Sequence, residues 1–188
     1  MNTSAWATVL AKPVQPGRDH IRGAARSVVT LVEYGDYECP YCRAAHGIVA
    51  ALEKQLGGQM SFVYRHFPLV TLHPHAQSAA EAAESAGRQQ KFWPMHDSLF
   101  TAEKLLTHDF LIAAAHALGL DERSFDAELM GHLHLARIRD DFMGGVRSGV
   151  NGTPAFYING VRHQGAWDFE SLLTALNQAS MRGMKLMT

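Results

Sequence analysis

Val28-Val29-Thr30-Leu31-Val32-Glu33-Tyr34-Gly35-Asp36-Tyr37-Glu38-Cys39-Pro40-Tyr41-Cys42 is the stretch on which the reading of this chain turns. Its first seven residues form a nearly continuous β-branched and apolar run, the pattern of a strand buried on both faces of a sheet. Beyond it, Ala45, Ile48, Val49, Leu52 and Leu56 recur at the spacing of one helical face, and Gly57-Gly58 is a stop signal. Residues 60–67 read as a second strand. Strand, helix, strand in this order is a βαβ unit, for which a right-handed crossover is expected. The two cysteines stand where the first strand gives way to the helix.

Working outward, residues 75–148 carry only helical periodicity. Ala76, Ala79, Ala80, Ala83 and Ala86 make one stripe, Phe110, Leu111, Ala114, Ala115 and Leu118 a second, and Leu135, Ile138, Phe142 and Val146 a third. Asn151-Gly152 breaks the pattern. Thr153-Pro154 then leads into a short strand at 155–158. Asn159-Gly160 is a type I′ hairpin signal, with a returning strand expected at 161–164. Asp168 is a candidate N-cap for a last helix, whose buried stripe is Phe169, Leu172, Leu173 and Leu176. The expected organisation is α/β: an N-terminal arm (1–18), a first half containing the βαβ unit (19–74), an all-helical insertion (75–149), a ββα second half (150–181) and a tail (182–188).

The chain has 188 residues, with 17 Lys and Arg against 18 Asp and Glu. This balance excludes a polybasic nucleic-acid binder and an acidic disordered chain as first readings. No apolar run approaches the roughly 18 residues of a membrane span. The first twelve residues lack a basic n-region, and their apolar stretch is short, so no secretory signal is read there. A cytoplasmic location is the expectation, or a periplasmic or exported one if a signal was removed.

Two cysteines are too few to staple a secreted fold, and a bridge between residues three apart constrains little chain. The pair is therefore redox-active, half of a metal site, or incidental. A zinc site needs about four ligands. No second C-x-x-C exists, leaving His46 with His73 or His75 to complete one. The remaining histidines, His96 among them, read mostly as surface or cap residues. The redox reading has a physical basis. Cys39 opens the helix and Pro40 occupies the first helical position, where its missing N–H costs nothing. Free N–H groups and the positive end of the helix dipole then face the Cys39 sulfur and favour its thiolate. Cys42 lies one turn on, placed to resolve a mixed disulfide formed at an exposed Cys39.

With these residues in view, the chain resembles the DsbA-like thiol–disulfide oxidoreductases of the thioredoxin superfamily. The resemblance lies in residues 35–42, Arg65-His66-Phe67-Pro68-Leu69, His73-Pro74-His75-Ala76, Phe92-Trp93-Pro94-Met95-His96 and residues 152–160. It runs over residues 19–178 and is nearest to a branch of stand-alone bacterial proteins and of domains fused to sodium/proton antiporters. It implies a thioredoxin fold with a helical insertion and a protein-disulfide oxidoreductase or isomerase activity. The redox-active disulfide Cys39–Cys42 would serve without metal or organic cofactor. Thiol or disulfide substrates, in the main protein chains, and a recycling redox partner follow as partners, with no nucleic acid.

The resemblance also bears on the residues around the pair. Thr153-Pro154 reads from sequence equally as a cis bond or as a trans strand-initiating proline. The resemblance favours cis, with Pro154 beside the cysteines and Thr153 pairing with substrate. Glu33 reads either as a strand-end carboxylate facing water or as a buried one under the pair. The resemblance favours the buried place, where a raised pKa would let it take the Cys42 proton. Strongly oxidising DsbA proteins carry histidine where this chain has Tyr41. Tyrosine adds no positive charge, so a less oxidising pair is expected. Tyr37, Trp93, Phe156 and Trp167 read more as core than as substrate groove; Tyr37, immediately before the site, is open to either place. Two other functions stay open: a redox-sensing interaction module, and a glutathione-dependent isomerase or transferase of related fold.

Overall fold

The computed structural model describes residues 9–24 and 27–185. The elements are β1 (His20–Gly23), β2 (Val29–Gly35), α1 (Pro40–Leu56), β3 (Met60–His66), five helices α2 (Ala76–Arg88), α3 (Phe92–Thr101), α4 (His108–Ala117), α5 (Glu122–Met130) and α6 (Leu135–Arg147), then β4 (Ala155–Ile158), β5 (Val161–Arg162) and α7 (Phe169–Lys185). A short 3-10 turn, Gly57–Gln59, links α1 to β3. The strands form one sheet in the order β1-β3-β2-β4-β5. β2 and β3 run parallel, and the other pairs are antiparallel. This is the α/β thioredoxin fold, with helices α2–α6 between its halves.

The central strand β2 alternates between two cores because successive side chains point to opposite sheet faces. Leu31 joins Phe62, Tyr64, Phe156 and Ile158 in the larger core, under α1, α7 and the helices α2–α5. Val32 and Tyr34 join Val63, Phe67 and Tyr157 in a smaller core on the other face, with Phe142 of α6 packed against it. Glu33 shares the pleat of Leu31 and is therefore directed into the larger core, on the side of α1.

Local signals explain the elements nearest the site. Gly57 ends α1 with φ at +52° and donates its N–H to Glu53. Asn159 and Gly160 both have positive φ, as a type I′ turn requires. Asp168 caps α7 by accepting from Ser171 N at 2.9 Å.

Several expectations are corrected. The returning strand spans only Val161–Arg162 instead of 161–164. The last helix runs to Lys185, past the expected end at 181. The arm is packed onto the sheet where it is described, residues 1–8 lying outside the described residues, as do 186–188. Val9 bridges to Val161. Arg65 of β3, buried on the small-core face, donates to the Lys12 and Pro13 carbonyls and to both carboxylate oxygens of Asp19. A buried guanidinium needs this many acceptors, and the arm supplies them. In α6, Val146 is 45% exposed while Asp141, Gly144 and Gly145 face inward. The helix is rotated from its apolar stripe because Asp141 accepts from Arg18 at 2.6 Å. Gly145 also lies so close to Phe67 that a Cβ would meet its ring at 2.7 Å.

Candidate active site

β2 ends at Gly35, a three-residue turn follows, and α1 begins at Pro40 with Cys39 as its N-cap. Cys39 has extended backbone angles and stands at the helix start, where the backbone N–H groups of Tyr41 and Cys42 have no intrahelical partner and favour a negative sulfur. Both cysteines are free thiols. Cys42 is wholly enclosed. Cys39 was expected to be exposed, yet only 4% of its surface is accessible. The Thr153-Pro154 bond is cis. The Cys39 thiol donates to the Thr153 carbonyl at 3.4 Å. One loop before β4 thus meets the turn after β2.

The two sulfurs are electrostatically unequal. The Cys39 thiol is held down at about 5, chiefly by donation from the Cys42 thiol. Burial works against this, while Thr153 and the backbone N–H groups of Cys42 and Tyr41 reinforce it. The Thr153 hydroxyl is buried with no hydrogen-bond partner. Burial pushes the Cys42 thiol far above its usual range, and Cys39 and Glu33 act in the same direction. The backbone N–H of Asp36, 3.5 Å from the Cys42 sulfur, opposes them weakly.

Glu33 is buried, and its Oε1 has no hydrogen-bond partner. Burial lifts its carboxyl to about 8; the Cys39 thiolate adds to the rise and the Cys42 thiol offsets part of it. Tyr41, between the cysteines, projects outward with 64% of its surface exposed. It lines a hollow with Thr153, Pro154, Arg162 and Trp167. Cys39, Cys42, Glu33, Pro40, Tyr41, Thr153 and Pro154 are therefore gathered at one end of the sheet.

The structure settles Tyr37 as a core residue and moves several histidines from their expected places. Tyr37 is buried, packing against Tyr64 and Phe100 and bonded through its hydroxyl to His96 Nδ1 at 3.1 Å. His96 is buried too, and burial drives its pKa well down. His46 turns to Asp97 at 3.0 Å. His73 and His75 do not approach the sulfurs as ligands; they bind the carboxylates of the active-site turn. His73 Nδ1 lies 2.8 Å from Asp36 Oδ2, and His75 Nδ1 lies 2.8 Å from Glu38 Oε1. Asp36 also accepts from Glu38 N and Leu69 N. The turn carrying Cys39 is thereby tied to the loop after β3. Sequence reasoning missed this tie; its one signal was two acids in the turn and two histidines some 37 residues on. Among the described residues, the side chains within ligating reach in threes are His46, His96 and Asp97, and His66, Glu84 and Asp141. Neither group contains a cysteine.

A dithiol at a helix start, faced by a cis-proline loop from the other half of a five-stranded sheet, defines the thioredoxin-fold class. The thioredoxin family profile matches residues 15–178, and the chain belongs to that family. Among curated proteins it is 44% identical over 170 residues to Na(+)/H(+) antiporter NhaA 1 of Salinispora arenicola, covering 90% of this chain and 26% of the antiporter. It is 41% identical over 183 residues to Na(+)/H(+) antiporter NhaA of Herminiimonas arsenicoxydans, covering 97% and 29%. The chain thus spans between a quarter and a third of these relatives. Among solved structures, a thioredoxin-like oxidoreductase from Silicibacter pomeroyi matches at 28% identity and TM-score 0.79, over 89% of this chain and 94% of that one. BdbD from Bacillus subtilis shares the fold at TM-score 0.81 and 19% identity, over 93% and 98%. Alpha-DsbA1 from Wolbachia pipientis shares it at 0.80 and 18%, over 94% and 97%. No helix among the described residues is long and apolar enough to cross a membrane.

Proposed function

We propose that this chain exchanges disulfides with thiol-containing substrates, protein chains above all, with Cys39 as nucleophile and Cys42 as resolving thiol. The observation that carries this reading is the split between the sulfurs. Cys39 is a thiolate near neutral pH, whereas Cys42 keeps its proton until it is needed.

In the reducing direction, the Cys39 thiolate attacks one sulfur of a substrate disulfide and expels the other half as a thiolate. Cys42 then attacks Cys39 and forms the Cys39–Cys42 disulfide. It releases the second substrate sulfur and gives up its own proton. Glu33 takes that proton as its carboxylate, a form favoured once the mixed disulfide has removed the negative Cys39 sulfur that helps hold the carboxyl at about 8. Two electrons pass from the dithiol to the substrate disulfide. Run backwards, the same steps oxidise a substrate dithiol, and partial passage isomerises. The Thr153 backbone offers its carbonyl to the substrate strand in place of the Cys39 thiol. No metal or organic cofactor enters these steps, and a second redox protein must reset the pair.

Insulin reduction with dithiothreitol tests this. Turnover by the wild type that disappears in Cys39→Ser supports it; equal turnover in the two proteins refutes it. The antiporters matched by this chain favour a second reading. In it the pair senses redox state and regulates a sodium/proton antiporter, and the chain shows no disulfide turnover of its own.

A further inference from the structure

We infer that the groove beside Pro154 selects substrates carrying a carboxylate near the reacting cysteine, through Arg162. This rests on the thiol–disulfide reading above and specifies its substrate class.

Arg162 lies on β5, directly opposite Tyr157 of β4. From there its guanidinium reaches back to the loop that leads to Thr153. It donates to the Gly149 carbonyl and, at 3.3 Å, to Asn151 Oδ1. Both acceptors are neutral. By contrast Arg18, Arg22 and Arg65 each engage a carboxylate. No carboxylate lies within ion-pairing distance of Arg162 among the described residues. Its full charge is therefore uncompensated at the wall of the site.

Two adjoining hollows share Arg162, Pro154, Asn151 and Trp167. They hold about 380 Å³ and 430 Å³. The first opens onto Tyr41 and Thr153, next to Cys39. The second continues along β5 to His163. No Asp or Glu lines either one, in a chain whose acids outnumber its Lys and Arg. A substrate strand laid against Thr153 would run between the exposed ring of Tyr41 and Trp167, with Arg162 at the wall. An Asp or Glu side chain a residue or two from its cysteine meets the guanidinium there. A lysine at that place meets repulsion.

The test uses symmetric disulfide dimers of a short peptide with one cysteine flanked by Glu, Gln or Lys. Reduced protein opens each dimer: Cys39 joins one peptide, the other leaves as thiolate, and Cys42 closes the ring and frees the first. The rate for each dimer is divided by its rate with dithiothreitol, which removes the peptides' intrinsic reactivity. The Glu-to-Lys ratio is expected to exceed one, to fall about threefold to fivefold in Arg162→Gln, and to survive in Arg162→Lys. In the wild type it should shrink as salt is raised. A ratio that is the same in wild type and Arg162→Gln, or that ignores salt in the wild type, overturns the inference while leaving thiol exchange intact. The salt series holds even where the Gln variant does not fold. Absence of exchange with every dimer overturns the functional reading itself.

Discussion

The Cys39 sulfur stands 3.4 Å from the Thr153 carbonyl oxygen although 114 positions separate them in the chain. The contact exists because β2 and β4 are neighbours, with Tyr34 opposite Ala155. The turn after β2 and the loop before β4 therefore meet at one end of the sheet. A protonated Cys39 donates to that carbonyl, and a substrate amide would compete for it.

The first prediction concerns that ionisation. Alkylation of the reduced protein by iodoacetamide, followed against pH, should show a Cys39 midpoint near 5. In Cys42→Ala the midpoint should rise, because the donor most responsible for the low value is gone. The sign for stability follows. Between about 5 and the ordinary thiol value of ~8.5, the unfolded chain binds a proton that the folded chain has released. The reduced protein should therefore gain stability as pH rises through that window and lose it as pH falls toward 5. A midpoint at the ordinary thiol value in the wild type would contradict the site described.

Glu33 supplies the opposite sign. Its carboxyl is lifted to about 8, so from the ordinary value of ~4.3 up to about 8 the folded chain holds a proton that the unfolded chain has lost. Stability contributed by this site falls as pH rises through that window. Glu33→Gln should remove the penalty and raise the unfolding free energy at pH 9 by on the order of a few kcal/mol, with little change at pH 4. The same variant should slow release of a trapped mixed disulfide by roughly 10²-fold, as expected for loss of a positioned base. Urea unfolding at the two pH values and stopped-flow resolution measure the two effects separately. Unchanged resolution would remove Glu33 from the mechanism.

What the sequence made legible was local. The β2 run, the face of α1, the Asn159-Gly160 turn and the Asp168 cap each depend on residues within one or two turns of one another. β1 was not legible. His20-Ile21-Arg22-Gly23 carries a single apolar residue, and it is a strand because β3 offers it an antiparallel edge. Tyr37 was left open between core and surface because its neighbours Asp36 and Glu38 are charged. Its burial depends on Tyr64 and Phe100, which arrive from β3 and α3. The Asp36–His73 bond likewise joins two loops that meet only once β2 and β3 have paired.

That bond leads to a prediction about the active-site turn. Asp36 is buried and accepts from Glu38 N, Leu69 N and the His73 ring. Asp36→Ala leaves two backbone donors unsatisfied inside the protein. It should reduce stability by about 1–3 kcal/mol, and by more if both donors stay buried. His73→Ala removes one partner at the rim and should cost less. Chemical denaturation of the two variants provides the check. Equal losses would mean that the turn is held by the histidine and not by the backbone amides.

Of the two residues between the cysteines, Tyr41 is the one expected to tune the potential of the pair. A thiol at about 5 lies between the ~7 of thioredoxin and the ~3.5 of DsbA. A stabler thiolate makes a stabler dithiol, and hence a more oxidising pair. The potential of Cys39–Cys42 should accordingly fall between about −270 mV and about −120 mV. Tyr41 projects into solvent and offers Cys39 no charge of its own. Tyr41→His places a titratable cation in the same peptide, and near pH 6 it is protonated about half the time or more. The variant's potential should move toward the oxidising end and its Cys39 midpoint below 5, with the displacement larger at pH 6 than at pH 8. The side chain is exposed, so the fold should tolerate the change. Equilibration against glutathione buffers at the two pH values reads the potential directly. A displacement independent of pH would assign the effect to loss of the tyrosine ring, and one of opposite sign would show that the charge at this position does not act on the thiolate.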